Sequence, residues 1–264
     1  MERRVRVRKA RPGALPWALA LVAAVLAVSL AVLPGREPEA RTELASGRMA
    51  VVGEVTLEGV EIYLIALCGY DSEGDARIAA APLVPRGAAG CLRRGGDGWQ
   101  VLLAGYATRE EAAEETARLK EEAVEATVVV LRTAPVRLRI TGREANTRAL
   151  QEALEWLERY PEQAAVMAAQ LDRGELSDAS ARILAAAART EALTHARYLN
   201  AEGLTQNPVC AALEAQLETL AEGLRTVESS METGAALSGR LRACHVESVL
   251  ARVDFMEQLR ARGA

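Results

Sequence analysis

One segment of this chain occurs twice, and the repetition limits what the chain can fold into. Residues 63–83 overlay residues 99–119 at a fixed offset of 36. Leu67 falls on Leu103, Gly69 on Gly105, Tyr70 on Tyr106, Ala76 on Ala112, Ala81 on Ala117 and Leu83 on Leu119. Tyr63 with Trp99, Ile65 with Val101, Ser72 with Thr108 and Asp75 with Glu111 add similar residues. Each copy reads as an apolar run, a Gly-aromatic turn, a Ser/Thr cap and a helix of Ala and acidic residues. Two such strand–turn–helix units in tandem predict a small α+β module built by duplication.

The pattern predicts strands at 61–68, 89–94, 99–104 and 126–131, and helices at 72–81 and 108–122, in the order β-α-β-β-α-β. Gly95-Gly96-Asp97-Gly98 predicts a hairpin, with Gly and Asp supplying positive φ. Thr108 and Glu111 are spaced as a capping box, and Pro82 and Pro85 cut the first helix short. Val136 to Ile140 alternates as one further strand, a candidate edge. The α+β module therefore takes residues 51–142. After Gly142 the periodicity is helical to the end, so 143–264 is read as an α-helical bundle. Its helices are predicted to break near Pro161 and Gly174. Ser177 opens the next, running to about Asn200 with Ile183, Leu193 and Leu199 inward. Asn207-Pro208 starts a seam of Leu213, Leu217, Leu220, Leu224, Val227 and Met231, which suits either dimerisation or packing inside its own bundle. Val246, Val249, Val253, Met256 and Leu259 form the last stripe.

The N-terminus carries a different signal. Residues 1–11 hold six basic side chains, and the 24 residues from Pro12 to Gly35 hold no charge. At about 1.5 Å per residue such a helix spans a hydrocarbon core of about 30 Å. The basic flank keeps residues 1–11 in the cytoplasm and places everything after residue 35, beginning with a polar linker at 36–50, outside. The expected localisation is the cell membrane, single-pass. A cleaved signal peptide, with Ser29-Leu30-Ala31 as cleavage site, is the alternative, though the run exceeds the usual signal core of roughly 7–15 residues. Beyond residue 34 there are 26 basic and 35 acidic residues, a balance that argues against nucleic acid as partner.

Little in the sequence points to catalysis or to a cofactor. Cys68, Cys91, Cys210 and Cys244 form no CxxC or CxxH pattern. His195 and His245 are the only histidines. Glu191 and His195 share a helix face, but a hydrolytic zinc site needs about three protein ligands. Phosphate-loop, dinucleotide and nucleophile-elbow fingerprints are lacking. The expectation is a non-catalytic protein with no metal and no cofactor.

Gly98-Trp99-Gln100-Val101-Leu102-Leu103-Ala104-Gly105-Tyr106-Ala107-Thr108-Arg109-Glu110-Glu111-Ala112 resembles the second half of a sporulation-related repeat (SPOR) domain, and Leu64 to Tyr70 its shorter first half. The resemblance covers roughly residues 60–132. It implies a ferredoxin-like β-α-β-β-α-β fold with sheet order 4-1-3-2, a single-pass anchor, and binding of septal peptidoglycan glycan strands stripped of stem peptides during division or sporulation. In that order strands one and two are separated by strand three, about 9.6 Å at two strand spacings. A disulfide tolerates about 7 Å between Cα atoms, so Cys68–Cys91 is not expected to form. Cys210–Cys244 depends on where the last two helices turn: at Gly234 the bond is forbidden, whereas a turn at about Ser229, capped by Ser229 and Glu232, brings the two close.

Alternation puts Ile65, Leu67, Val101 and Leu103 toward the two module helices, with Trp99 in the same row. Leu64, Ala66, Cys68, Gln100, Leu102 and Ala104 then face away. The family's Gln on the first strand is replaced by Ala66, and the glycines before the turns by Cys68 and Ala104. Glycan-binding candidates are Gln100, Leu102, Leu64, Arg93 and Tyr106. Arg93 with Arg94 is equally read as a charged edge, and Tyr70 and Tyr106 as packing beneath the turns. An apolar outer face suits protein better than sugar hydroxyls. Two functions follow: a peptidoglycan-binding module, or a degenerate module in a protein-interaction scaffold for envelope or divisome partners, with the helical bundle as its working part. Cover over Leu64, Ala66 and Leu102 favours the second.

Overall fold

The two repeat copies pair with each other. In the computed structural model, which describes residues 51–261 apart from 202–203 and 205–206, β2 (Glu61–Tyr70) runs antiparallel to β4 (Gly98–Tyr106). Tyr63 lies opposite Tyr106 and Tyr70 opposite Trp99. Because Tyr63 corresponds to Trp99 and Tyr70 to Tyr106 in the repeat, the two contacts are equivalent about a pseudo-two-fold axis. β3 (Cys91–Gly95) and β5 (Thr127–Arg132) complete a four-stranded sheet in the order β3-β4-β2-β5. This is the predicted order, and it puts β4 between the strands of Cys68 and Cys91.

Local chemistry sets the element ends. α1 (Glu73–Ala80) is capped by Ser72, whose hydroxyl accepts from the Asp75 amide. α2 (Arg109–Glu121) carries the reciprocal Thr108–Glu111 capping box. The β3–β4 hairpin turns at Gly96-Asp97, but the positive φ falls on Gly98 (115°) and on neither central residue. A β-carbon there would meet the Tyr70 carbonyl oxygen at 2.6 Å, so glycine answers a close approach as well as a backbone conformation.

A strand missed in the sequence, β1 (Val51–Leu57), pairs antiparallel with β6 (Val136–Gly142) in a separate two-stranded sheet. β1 leads into β2 and β5 into β6, so the two pairings form one long ribbon broken near Gly59 and Pro135. The Val60 amide donates to the Thr133 hydroxyl and the Thr133 amide to the Val60 carbonyl across that break.

Four helices follow: α3 (Glu144–Asp172), α4 (Asp178–Ala201), α5 (Pro208–Ser229) and α6 (Gly234–Ala261). Each packs on the next in the chain, and α3 packs on α6 to close the ring. The predicted break at Pro161 does not occur: α3 continues through it. An interior proline costs about 3 kcal/mol. Here Leu157, Tyr160, Pro161 and Ala164 are all buried, and their packing outweighs that loss. Two inward assignments are also corrected. Ile183 is 59% and Met231 93% exposed. α4 turns alanines inward instead, among them Ala181, Ala185, Ala192 and Ala196, and α5 stops before Met231. The rest of its seam is buried inside the bundle.

The apolar interior falls into two clusters. The smaller lies between α1, α2 and the inner sheet face, around Ile65, Leu67, Val101, Leu103, Ala76 and Ala112. The larger runs from the bundle onto the other sheet face and includes Leu64, Ala66 and Leu102. Residue 142 is therefore a change of secondary structure and not a gap in packing. The predicted span at 12–35, its basic tail and the linker lie outside the described residues. Among the described residues no helix is long and apolar enough to cross a membrane.

Candidate functional site

The sheet face opposite α1 and α2 is the surface on which the sequence placed the glycan candidates Leu64, Gln100 and Leu102, and α6 lies across it. Alternation sends Leu64, Ala66 and Leu102 to that face, and each is 0% exposed. The Cys91 sulfur approaches the Ala243 carbonyl oxygen at 3.8 Å and a Glu247 carboxylate oxygen at 4.0 Å. The His245 ring lies against Gly105, where an added β-carbon would meet its Cε1 at 3.1 Å. Arg242 Nη1 donates to the Gly87 carbonyl at 2.5 Å and also pairs with Asp172 of α3. Arg252 Nη2 donates to the Glu58 carbonyl and to Glu158, each at 2.7 Å.

These contacts revise the candidate set. Leu64 and Leu102 are core residues beneath the bundle and cannot touch a polymer in this state. Gln100 is half-buried, with its amide folded against Gly95. Arg93 is half-buried on β3, close enough to Asp254 of α6 to oppose the rise that burial imposes on that carboxyl. Tyr106 is half-buried at the end of β4, and Arg94 is exposed. Trp99, Tyr70 and Tyr106 all pack with the inner cluster, so both turn tyrosines serve packing on the α1/α2 side of the sheet. Only Tyr106 of the five glycan candidates lines a cavity described below.

α3 and the ends of β2 and β4 leave a trench of about 740 Å³ between them. Its floor is made of small residues, including Ala104, Gly105, Ala165 and Ala169, and its walls carry Glu61, Glu111, Glu158, Glu162 and Asp172 against Arg173, Arg242 and Arg252. A cleft of about 330 Å³ continues from it past Tyr106 to Arg86 and Arg118. Arg118 pairs with Glu115 and Glu122, and Arg86 also pairs with Glu122. Burial, and then the Glu115 charge, push the Tyr106 hydroxyl up to about 12, so it stays protonated at neutral pH. Burial alone holds His245 down at about 4, an uncharged imidazole at neutral pH. Val166, 48% exposed, stands on the trench rim.

The remaining polar candidates serve packing. Glu191 accepts a 3.0 Å hydrogen bond from the Trp156 indole. Trp156 stacks on Tyr160 with ring centroids 4.8 Å apart, and His195 tilts against Trp156 at 6.4 Å. Among the described residues no three His, Cys, Asp or Glu side chains converge as a metal site. Cys210 and Cys244 are both free thiols. The site residues that sequence reasoning missed are Glu158, Asp172, Arg242, His245 and Arg252. One signal was present: Leu237, Ser238, Gly239, Leu241, Cys244 and His245 place uncharged residues over more than half of the circumference of α6, as in a helix enclosed on several sides.

Compared with known proteins, the chain matches no protein-family model, no curated protein and no solved structure.

Proposed function

We propose that this chain is a non-catalytic, single-pass cell-envelope protein in which a SPOR-like module has become part of a protein-interaction scaffold. One observation carries the reading: α6 covers Leu64, Ala66 and Leu102, the face through which a glycan-binding module of this kind would read its ligand. The duplicated β-α-β-β-α-β order and the β3-β4-β2-β5 sheet support the resemblance itself. The uncharged run from Pro12 to Gly35 supports the membrane anchor. The partner is an envelope or divisome protein, and its docking place is the trench between α3 and the module, where apolar floor and charged walls suit a peptide segment better than a sugar.

Sedimentation of the full chain in detergent with denuded and with intact peptidoglycan sacculi tests this. The scaffold reading predicts no binding to either. Saturable binding to denuded sacculi overturns it and restores glycan recognition. A photo-crosslinking residue at Val166 is expected to capture one specific envelope protein in cells, and a crosslinker at exposed Ile78 is not.

A further inference from the structure

The four-stranded sheet has two edges, and they differ. β3 is short, charged at Arg93 and Arg94, and lies against α6. β5 reads Thr-Val-Val-Val-Leu-Arg, without proline, glycine or charge before its last residue. Natural sheets blunt exposed edges with lysine, proline, bulges or cover, because an open row of amides and carbonyls invites another strand. β5 has none of these devices.

The direction of its backbone groups follows from the register. The Thr133 amide bonds the Val60 carbonyl at 2.8 Å, and Leu131, Val129 and Thr127 lie opposite Ile62, Leu64 and Ala66. Alternate residues of an antiparallel pair exchange both bonds. Thr127, Val129 and Leu131 therefore point their amides and carbonyls at β2, while those of Val128, Val130 and Arg132 point outward. Among the described residues no backbone group pairs with that outer row.

We infer that β5 is a dimerisation edge, and that its occupant is β5 of a second copy in antiparallel register. The charges choose this partner. Glu125, exposed, precedes the strand, and Arg132, which ends it, is exposed and bonds Glu61 of its own β2 at 2.8 Å, so Glu125 of the second copy adds a second carboxylate to that guanidinium. An antiparallel pair centred on Val129 sets Val128 against Val130 of the second copy and brings each Arg132 beside the other copy's Ala126 and Glu125. A parallel pair would instead stack Arg132 on Arg132. The half-buried valines serve the same arrangement. Val128 and Val130 border the inner apolar cluster and Val129 and Leu131 the outer one, so pairing extends both cores across the two-fold axis. The inference stands apart from the proposed function, since glycan binding and scaffolding are both compatible with it.

The mass of the full chain in detergent, followed on dilution by analytical ultracentrifugation, tests the edge. A reversible dimer is expected. Val130→Pro removes an outward amide that the β2 ladder does not use, and is expected to weaken the dimer at least about tenfold with unchanged helix and strand content. Glu125→Arg, in a surface loop, is expected to weaken it similarly, and mixing it with Arg132→Glu to recover a mixed dimer. If Val130→Pro fails to fold, the charge pair decides alone. A monomeric full chain, or a dimer indifferent to the charge changes and to a folded Val130→Pro chain, overturns the inference. Indifference would place the contact elsewhere, for instance along the membrane segment.

Discussion

Gly239 of α6 passes against the backbone of Gly87 and Ala88: a β-carbon on it would lie 2.9 Å from the Ala88 carbonyl oxygen and 3.2 Å from the Gly87 Cα. No other residue lets the helix come this close, and the Arg242 bond to the Gly87 carbonyl depends on the same approach. Gly239→Val is therefore expected to destabilise the protein by about 1–3 kcal/mol, although valine is the better helix former. Thermal unfolding measures this. A variant as stable as the parent would mean that α6 does not press on the module there.

The last two helices decide the remaining disulfide question. Gln216 of α5 bonds the Ala251 carbonyl of α6, and Gly223 faces Cys244. Continued along both helices, this register puts Cys210 level with residue 257, which is 13 residues and roughly 20 Å from Cys244. The helices turn just before Gly234, as in the arrangement that forbids the bond. Mass spectrometry of the non-reduced, alkylated chain is expected to show neither Cys210–Cys244 nor Cys68–Cys91. A Cys68–Cys91 crosslink would contradict the sheet order, and a Cys210–Cys244 crosslink the helix register.

His245 makes stability depend on pH. Burial lowers it from 6.5 to about 4, so the folded state binds its proton less readily than the unfolded chain. Its contribution is fully present above about pH 6.5 and is lost as pH falls toward 4, at most on the order of 3 kcal/mol. Glu247 and Asp254 are raised by burial and work in the opposite sense, because folding favours their protonated forms. They are common to parent and variant. The melting temperature of the parent is expected to fall further between pH 7 and pH 4 than that of His245→Gln. Parallel curves would refute the assignment.

The legible parts of this fold are those governed by neighbours in sequence. The repeat, the caps at Ser72 and Thr108, the hairpin before Gly98 and the alternation of Leu64 with Ile65 each rest on a few adjacent residues. What failed depends on distant partners. β1 includes Gly53, follows a polar linker, and becomes a strand only through β6, whose paired residues lie 79 to 91 positions later. Pro161 lies inside a helix because bundle packing outweighs a local rule. Ile183 faces out because α4 buries alanines, which carry almost no pattern. The candidate site divides in the same way. The apolar character of Leu64, Ala66 and Leu102 signalled a covered face, yet nothing local identified α6 as the cover or Arg242, His245 and Arg252 as the residues that fasten it.

Cys91 reports on that cover directly. It occupies the same sheet face as Leu102, its partner across β3 and β4, and lies beneath Ala243 and Glu247. Burial, with the Glu247 charge adding to it, raises its thiol far above the ordinary range. Cys68 is exposed. The decisive measurement is the alkylation rate of each cysteine in the native full chain, resolved by mass spectrometry. Cys68 is expected to react promptly while Cys91 stays unmodified until the protein unfolds. Reaction of Cys91 at a rate comparable to Cys68 would show an open sheet face and contradict that cover.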